Sequence, residues 1–170
     1  MLYLLDASVL ITANNSYYPI DRVPEYWDWL KHMAESGHIK IPLENFEEIK
    51  EGPDNEDKDL LFGWLQVDSN REALLLLESV VPTHVQRVVN DGYAPDLTDD
   101  EIEQLGRDPF LVAYALANPT TRSIVTVEVS RPKRQRQNRH VPDVCSTLGL
   151  KCVNPFQMNQ TLDFRTHWKS

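Results

Sequence analysis

"LYLLDASVLI", residues 2–11, decides the fold. Its first four positions are apolar or aromatic without alternation, as in a strand buried on both faces of a parallel sheet. Asp6 then stands at the carboxyl edge of that strand. The next stretch, "SVLITAN", can open a helix with Ser8 as its cap. A buried strand running straight into a helix is the first half of a βαβ unit.

The rest of the chain repeats the alternation. "VPEYWDWLKHMAESG" predicts a helix with Pro24 in the first turn, Trp27, Leu30 and Ala34 on one stripe, and Gly37 as the stop. "HIKIP" reads as a second short strand, and "LENFEEIKEG" as a helix closed by Gly52. "PDNEDKDLLFGWLQ" starts polar and becomes a short helix. In "EALLLLESVVPTHVQRVVNDGY" a short buried run precedes a helix from Pro82, and a small capped helix begins after Thr98. "RDPFLVAYALANP" is a well-marked helix, with Asp108 at the cap and Pro109 at the first position. "RSIVTVEV" is a β-branched strand, "KCVNP" the last strand, and a C-terminal helix covers about residues 157–168. Strands alternating with helices predict an α/β fold with a mostly parallel sheet, residues 1–170 forming one domain. In such sheets chemistry sits beyond the carboxyl ends of the strands.

Composition removes several classes of function. No apolar run reaches the ~20 residues that span a bilayer, and the N-terminus lacks the basic start of a secretory signal. Cys145 and Cys152 fit no metal or redox spacing and read as reduced, packed thiols of a cytoplasmic protein. The five histidines are scattered, and no Ser/His/Asp or Cys/His set is apparent. A net charge of −9 argues against non-specific coating of nucleic acid, though not against a local site.

Carboxylates at element edges carry the chemistry. Asp6 follows the first strand, Glu48 lies on the helix after "HIKIP", Asp108 opens its helix, Glu128 ends the strand at 123–129, and Asp143 lies in "VPDVC". Singly, each has an ordinary explanation: Asp6 as a turn cap, Glu48 as a solvated helix residue, Asp108 as an N-cap, Asp143 as a turn residue. Together they gather at one end of a sheet, where carboxylates repel one another unless a cation sits between them. Oxygen-only ligands favour Mg²⁺ or Mn²⁺.

The ordered set "LLDASVLI", "IPLENFEEI", "RDPFLVAYALA", "SIVTVEV" and "VPDVCSTLGLKCVNP" resembles the PIN-domain ribonucleases over residues 2–157, in particular an uncharacterised prokaryotic branch reading "DPxLxAYAL" and "PDVC". The resemblance implies a three-layer α/β/α sandwich and a divalent-metal endoribonuclease using one or two Mg²⁺ or Mn²⁺ ions. It matches Asp6, Glu48 and Asp108 to the metal-holding acids, with Glu47 the neighbouring alternative to Glu48. Ser8 and Thr126 match its supporting hydroxyls. Glu128 stands where the family has the acid or amide of "T-x-[DN]", and Asp143 matches a further acid before the final strand. The loop between them leaves both Glu128 and Asp143 as candidates to complete the site. Further implications are a toxin role with an antitoxin protein as partner, and a homodimer.

That loop, "RPKRQRQNRH" at 131–140, concentrates five cations in an acidic chain. Bound metal covers only the reacting phosphate, so flanking phosphates need cations. Arg131, Lys133, Arg134, Arg136 and Arg139 are the candidates for holding an RNA backbone; a solvated loop or an acidic protein partner are the alternatives. Tyr17, Tyr18, Trp27 and Trp29 are aromatic enough to stack on bases, although Trp27 reads as core and the tyrosines as loop. A dehalogenase-type phosphatase wants a second acid where Ser8 stands, and a receiver domain wants an acidic pair that "LYLLD" lacks. The rival that stays is a PIN fold used as an RNA- or protein-binding module with weak or no catalysis.

Overall fold

The structure, a computed structural model, describes residues 1–51 and 56–170. Gly52, the expected stop of one helix, and the polar start of the next at 53–55 lie outside the described residues. Four short strands, β1 (Leu2–Leu5), β2 (Ile39–Lys40), β3 (Arg122–Val125) and β4 (Lys151–Val153), form a sheet in the order β2-β1-β3-β4. All pairings are parallel, with Leu2 opposite Arg122 and Ile124 opposite Cys152. An isolated parallel bridge from Ile41 to Leu75 extends the β2 edge.

Helices cover both faces, giving a three-layer α/β/α sandwich. Alternation along β1 sends Tyr3 and Leu5 into one core and Leu4 into the other. The first core packs α1 (Ala7–Thr12), α2 (Pro24–Glu35), α3 (Leu43–Glu51), α4 (Glu56–Gln66), α5 (Asp68–Leu74) and α10 (Pro155–Thr161) against the sheet. Trp27, Trp29 and Tyr26 are fully buried there, so neither tryptophan is available to stack on a base. The second core packs α6 (Pro82–Arg87), α8 (Asp108–Leu116) and α9 (Val141–Leu148), and α7 (Asp99–Gln104) adds a short capped helix beside it. α8 is apolar all round because it is buried nearly all round.

Five local readings need correction. Ser8 does not cap α1; Asp6 holds the N-cap position and Ser8 lies inside the first turn. Likewise the N-cap of α8 is Arg107, and Asp108 is already helical, which frees its carboxylate from capping. β3 stops at Val125, because residues 126–129 leave the sheet to reach the site. The C-terminal helix ends at Thr161, where the chain turns through Asp163 and His167 with positive φ. The short buried run expected before Pro82 is also not continuous: α5 takes Ala73 and Leu74 into the core, and beyond it Leu76 is buried but Leu77 is 84% exposed.

Helices α1 and α6 each end in a π-helical turn, Ala13–Tyr17 and Val88–Tyr93. The second holds Gly92 against α9 so closely that an added Cβ would lie 2.7 Å from Val144 Cγ1 and 3.3 Å from Leu148 Cδ1. Val144 is fully buried and has nowhere to move. Gly92→Ala is therefore expected to destabilise the fold by about 1–3 kcal/mol through overpacking. Urea unfolding measures this, and an unchanged midpoint would show that α9 yields without strain.

Candidate functional site

Asp6 emerges from β1 at the carboxyl end of the sheet, 6% exposed. Its Oδ2 accepts hydrogen bonds from Ser8 Oγ at 2.6 Å and Thr126 Oγ1 at 2.8 Å. Both supporting hydroxyls thus converge on one carboxylate oxygen, and Oδ1 has no hydrogen-bond partner among the described residues. Thr126 Oγ1 also accepts the Glu128 N–H at 3.2 Å, which ties the segment leaving β3 to Asp6.

Three further acids, Asp108, Glu48 and Glu128, lie within electrostatic reach at this end of the sheet. Burial pushes the Asp108 carboxyl well above its ordinary range, and the charges of Asp6, Glu128 and Glu48 push it further. Glu48 is also raised, first by burial and then by Asp6, with Arg107 opposing. Its Oε2 is buried without a hydrogen-bond partner among the described residues. Arg107 is itself engaged by Glu51 at 2.6 Å. Glu47, the sequence alternative, is exposed on α3. Glu128 Oε2 accepts the Val141 N–H at 2.8 Å, at the N-terminus of α9, where the helix dipole favours an anion.

Asp143 is not part of this cluster. Burial tends to raise its carboxyl, but hydrogen bonds from Ser130 Oγ (2.5 Å) and the Arg131 N–H (2.7 Å), together with the charges of Arg139 and His140, hold it below the usual range. It anchors the start of the basic loop. Of the two candidates left open by the sequence, the structure puts Glu128 beside the other acids.

The basic loop divides in the same way. Arg136 pairs with Asp96 at 2.8 Å, just before α7, and with Glu101 at 2.7 Å, in the first turn of α7. Arg139 donates to the Gly92 carbonyl, to the Asp143 carbonyl and to Thr147 Oγ1. Both hold the loop down. Arg131, Lys133 and Arg134 are exposed, and their side chains have no partner among the described residues.

Tyr93 is a site residue that sequence reasoning misses. Its buried hydroxyl has no hydrogen-bond partner among the described residues. Burial, followed by the charges of Asp108 and Glu128, drives the phenol far above its ordinary range. "VVNDGY" offers no signal for this, because the residue reaches the site through a π-helical turn.

The donor set suits a hard divalent cation: oxygen atoms alone, crowded and partly desolvated, with an orphan oxygen on Glu48. Among the described residues, however, no three acidic, His or Cys side chains converge closely enough to form a ready-made ion cage. Both cysteines are free thiols, and no described helix is long and apolar enough to cross a membrane.

No curated protein and no solved structure matches the chain. A family model does match, over residues 3–166, and the chain accordingly belongs to the family described as Domain of unknown function (DUF4411).

Proposed function

We propose that the chain is a divalent-metal-dependent endoribonuclease. The observation that carries this reading is the crowding of Asp6, Glu48, Asp108 and Glu128 beyond β1 and β3, three of them bearing on the raised carboxyl of Asp108. Four carboxylates with so little compensation are costly unless a cation joins them.

Asp6, Glu48, Asp108 and Glu128 would hold Mg²⁺ or Mn²⁺. Bound there, the ion would lower the pKa of a water and neutralise the scissile phosphate. The chain's own residues supply the positioning. Ser8 and Thr126 fix Oδ2 of Asp6, leaving Oδ1 for the ion. The α9 amide holds Oε2 of Glu128 in the same manner. Asp143 is outside the proposed ligand set, and Arg136 and Arg139 are outside the proposed RNA contacts. The toxin role, an antitoxin partner and a homodimer belong to the same proposal, on the resemblance that implies them, and a cytoplasmic location joins it on the reading of Cys145 and Cys152 as reduced thiols. The test is cleavage of labelled single-stranded and structured RNAs with Mn²⁺, Mg²⁺ or EDTA. Folded protein that cuts none of them with any divalent ion would sink the reading.

One observation favours the second reading, a binding module with weak or no catalysis: the acids are near one another without forming an ion cage. Manganese affinity separates the two, since a module without the chemistry need not bind the ion.

The free cations make a further expectation. Replacing Arg131, Lys133 and Arg134 together with Gln should weaken RNA binding and flatten its salt dependence. The slope should fall by about 0.7 for each phosphate no longer neutralised, about 2 in all. Arg136→Gln should leave the slope where it is and instead loosen the loop from α7. Equal slopes for the wild type and the triple variant would remove the loop from the RNA path.

A further inference from the structure

Next to the carboxylates lies a cleft of about 240 Å³ whose walls are Tyr17, Tyr18, Phe156, Val127 and Val129, with Glu128 at its edge. We infer that it receives one unpaired base of a single-stranded RNA, the base next to the phosphate held at the carboxylates. The ligand class rests on the nuclease reading; the cleft's shape and aromatic lining do not.

Size restricts the occupant. The volume is below the ~300–1,000 Å³ that takes drug-sized ligands, so a single ring system fits and a larger group does not. Exposure indicates the contact. Tyr17 is 54% exposed and Phe156 48%, unusual for two aromatics that also touch each other, edge to face at 4.9 Å. Both rings keep about half of their surface accessible at the cleft. Base–aromatic stacking uses such surface and tolerates any base, because every base has a π-face.

The cleft is also fixed in advance. Tyr18 lies flat on Tyr26 at 4.1 Å and is met edge-on by Phe164 at 5.7 Å. Trp27 Nε1 donates to the Tyr18 carbonyl at 2.7 Å, and the Ile20 N–H donates to Asn14 Oδ1 at 3.1 Å. The π-helical turn Ala13–Tyr17 turns the tyrosines out of the α1 frame, and such turns recur at functional sites. A preformed cleft keeps the ordering cost of binding low.

Continuity selects RNA over a protein partner. Residues 127–129 line the cleft, Glu128 joins the carboxylates, and the unpartnered cations begin at Arg131. Residues 127–134 thus contribute to the cleft wall, the anionic centre and the cationic flank in turn, while the aromatic faces come from the turn after α1 and from α10, so the three lie side by side as base, reacting phosphate and neighbouring phosphate do along a strand. An apolar side chain from a protein would instead seal half-buried Glu128 under hydrocarbon with no cation supplied, at a desolvation cost. The Thr12 hydroxyl, also in the wall and without a partner among the described residues, is free to meet a base edge.

The experiment measures binding of short single-stranded oligoribonucleotides to the full chain by fluorescence anisotropy, in EDTA and again in Mn²⁺. An abasic site is moved through successive positions. At one position its presence should weaken wild-type binding about 5- to 150-fold, the range for removing one base–aromatic stack. Tyr17→Ala and Phe156→Ala should weaken binding of the intact strand over the same range and become indifferent to the abasic site. Tyr17→Phe should bind as wild type does. Both rings are exposed, so the unfolding transition should stay in place, and circular dichroism verifies it. Alanine variants that bind like wild type, or abasic sites without effect at every position, overturn the inference. Cleavage without base dependence overturns it and spares the nuclease; base-dependent binding without cleavage does the reverse. No binding in either condition overturns both.

Discussion

Asp6→Asn should abolish metal-dependent RNA cleavage while leaving the fold intact, a drop of at least about 10²–10³-fold, the scale on which one electrostatic contribution to a transition state is removed. The substitution is well matched to the site. Both hydrogen bonds to Asp6 come from hydroxyl donors, Ser8 and Thr126, on a single oxygen. An amide oxygen accepts them equally well, so the positioning survives. What changes is the other side: a charged ligand oxygen becomes an N–H₂ group, which cannot bind a cation. Rates on labelled RNA in Mn²⁺ and unfolding curves of the same two proteins decide the matter. An Asp6→Asn protein that cuts as fast as wild type would show that the activity comes from another site or from a contaminant.

Asp108→Asn should instead stabilise the metal-free fold. Without a cation, Asp108 is desolvated and faces Asp6, Glu128 and Glu48. Removing its charge should stabilise the metal-free protein by about 0.5–2 kcal/mol at neutral pH, the scale of a relieved functional site. For a chain of this length that is a rise of several degrees in Tm. The pH dependence has a definite direction. An acid whose folded pKa lies above its ordinary 3.8 helps the fold while protonated, and that help is lost as pH rises through the folded value. Wild type and variant should therefore melt together in acid and separate as pH increases. Mn²⁺ should reverse the order: mass action raises the wild-type Tm, by about 2.7 kcal/mol of stability at a hundredfold excess over Kd, and raises the variant less. Equal melting of the two proteins at every pH and metal concentration would mean that Asp108 feels no crowding.

Much of the architecture was legible because it rests on local signals. The apolar run before Asp6 could only be a buried strand, and Pro24, Trp27, Leu30 and Ala34 mark α2 by period alone. The alternation of strands and helices put Asp6 and Glu128 at the carboxyl ends of strands and turned the start of the Asp108 helix toward them, whereas Glu48 was singled out by the resemblance. Long-range pairing was not legible. Arg136 and Arg139 look no different in sequence from Arg131 and Arg134, since the acids that bind Arg136 stand 35 and 40 residues away. Asp143 misled for the opposite reason: its partners, Ser130 and Arg131, sit within the loop it closes. Cap positions failed by one or two residues because backbone geometry, not residue preference, settles them: Asp6 rather than Ser8, Arg107 rather than Asp108.

The pairing of β1 with β3 also has a bearing on synthesis. Asp6 and the Thr126 hydroxyl that orients it are 120 residues apart. At 5–20 residues per second the ribosome needs roughly 6–24 s to make the intervening chain. During that time the first strand has no central neighbour, and no partial product can align Asp6 with Glu128. Growing chains are thus kept from assembling the carboxylate cluster until the last quarter of the protein is being translated.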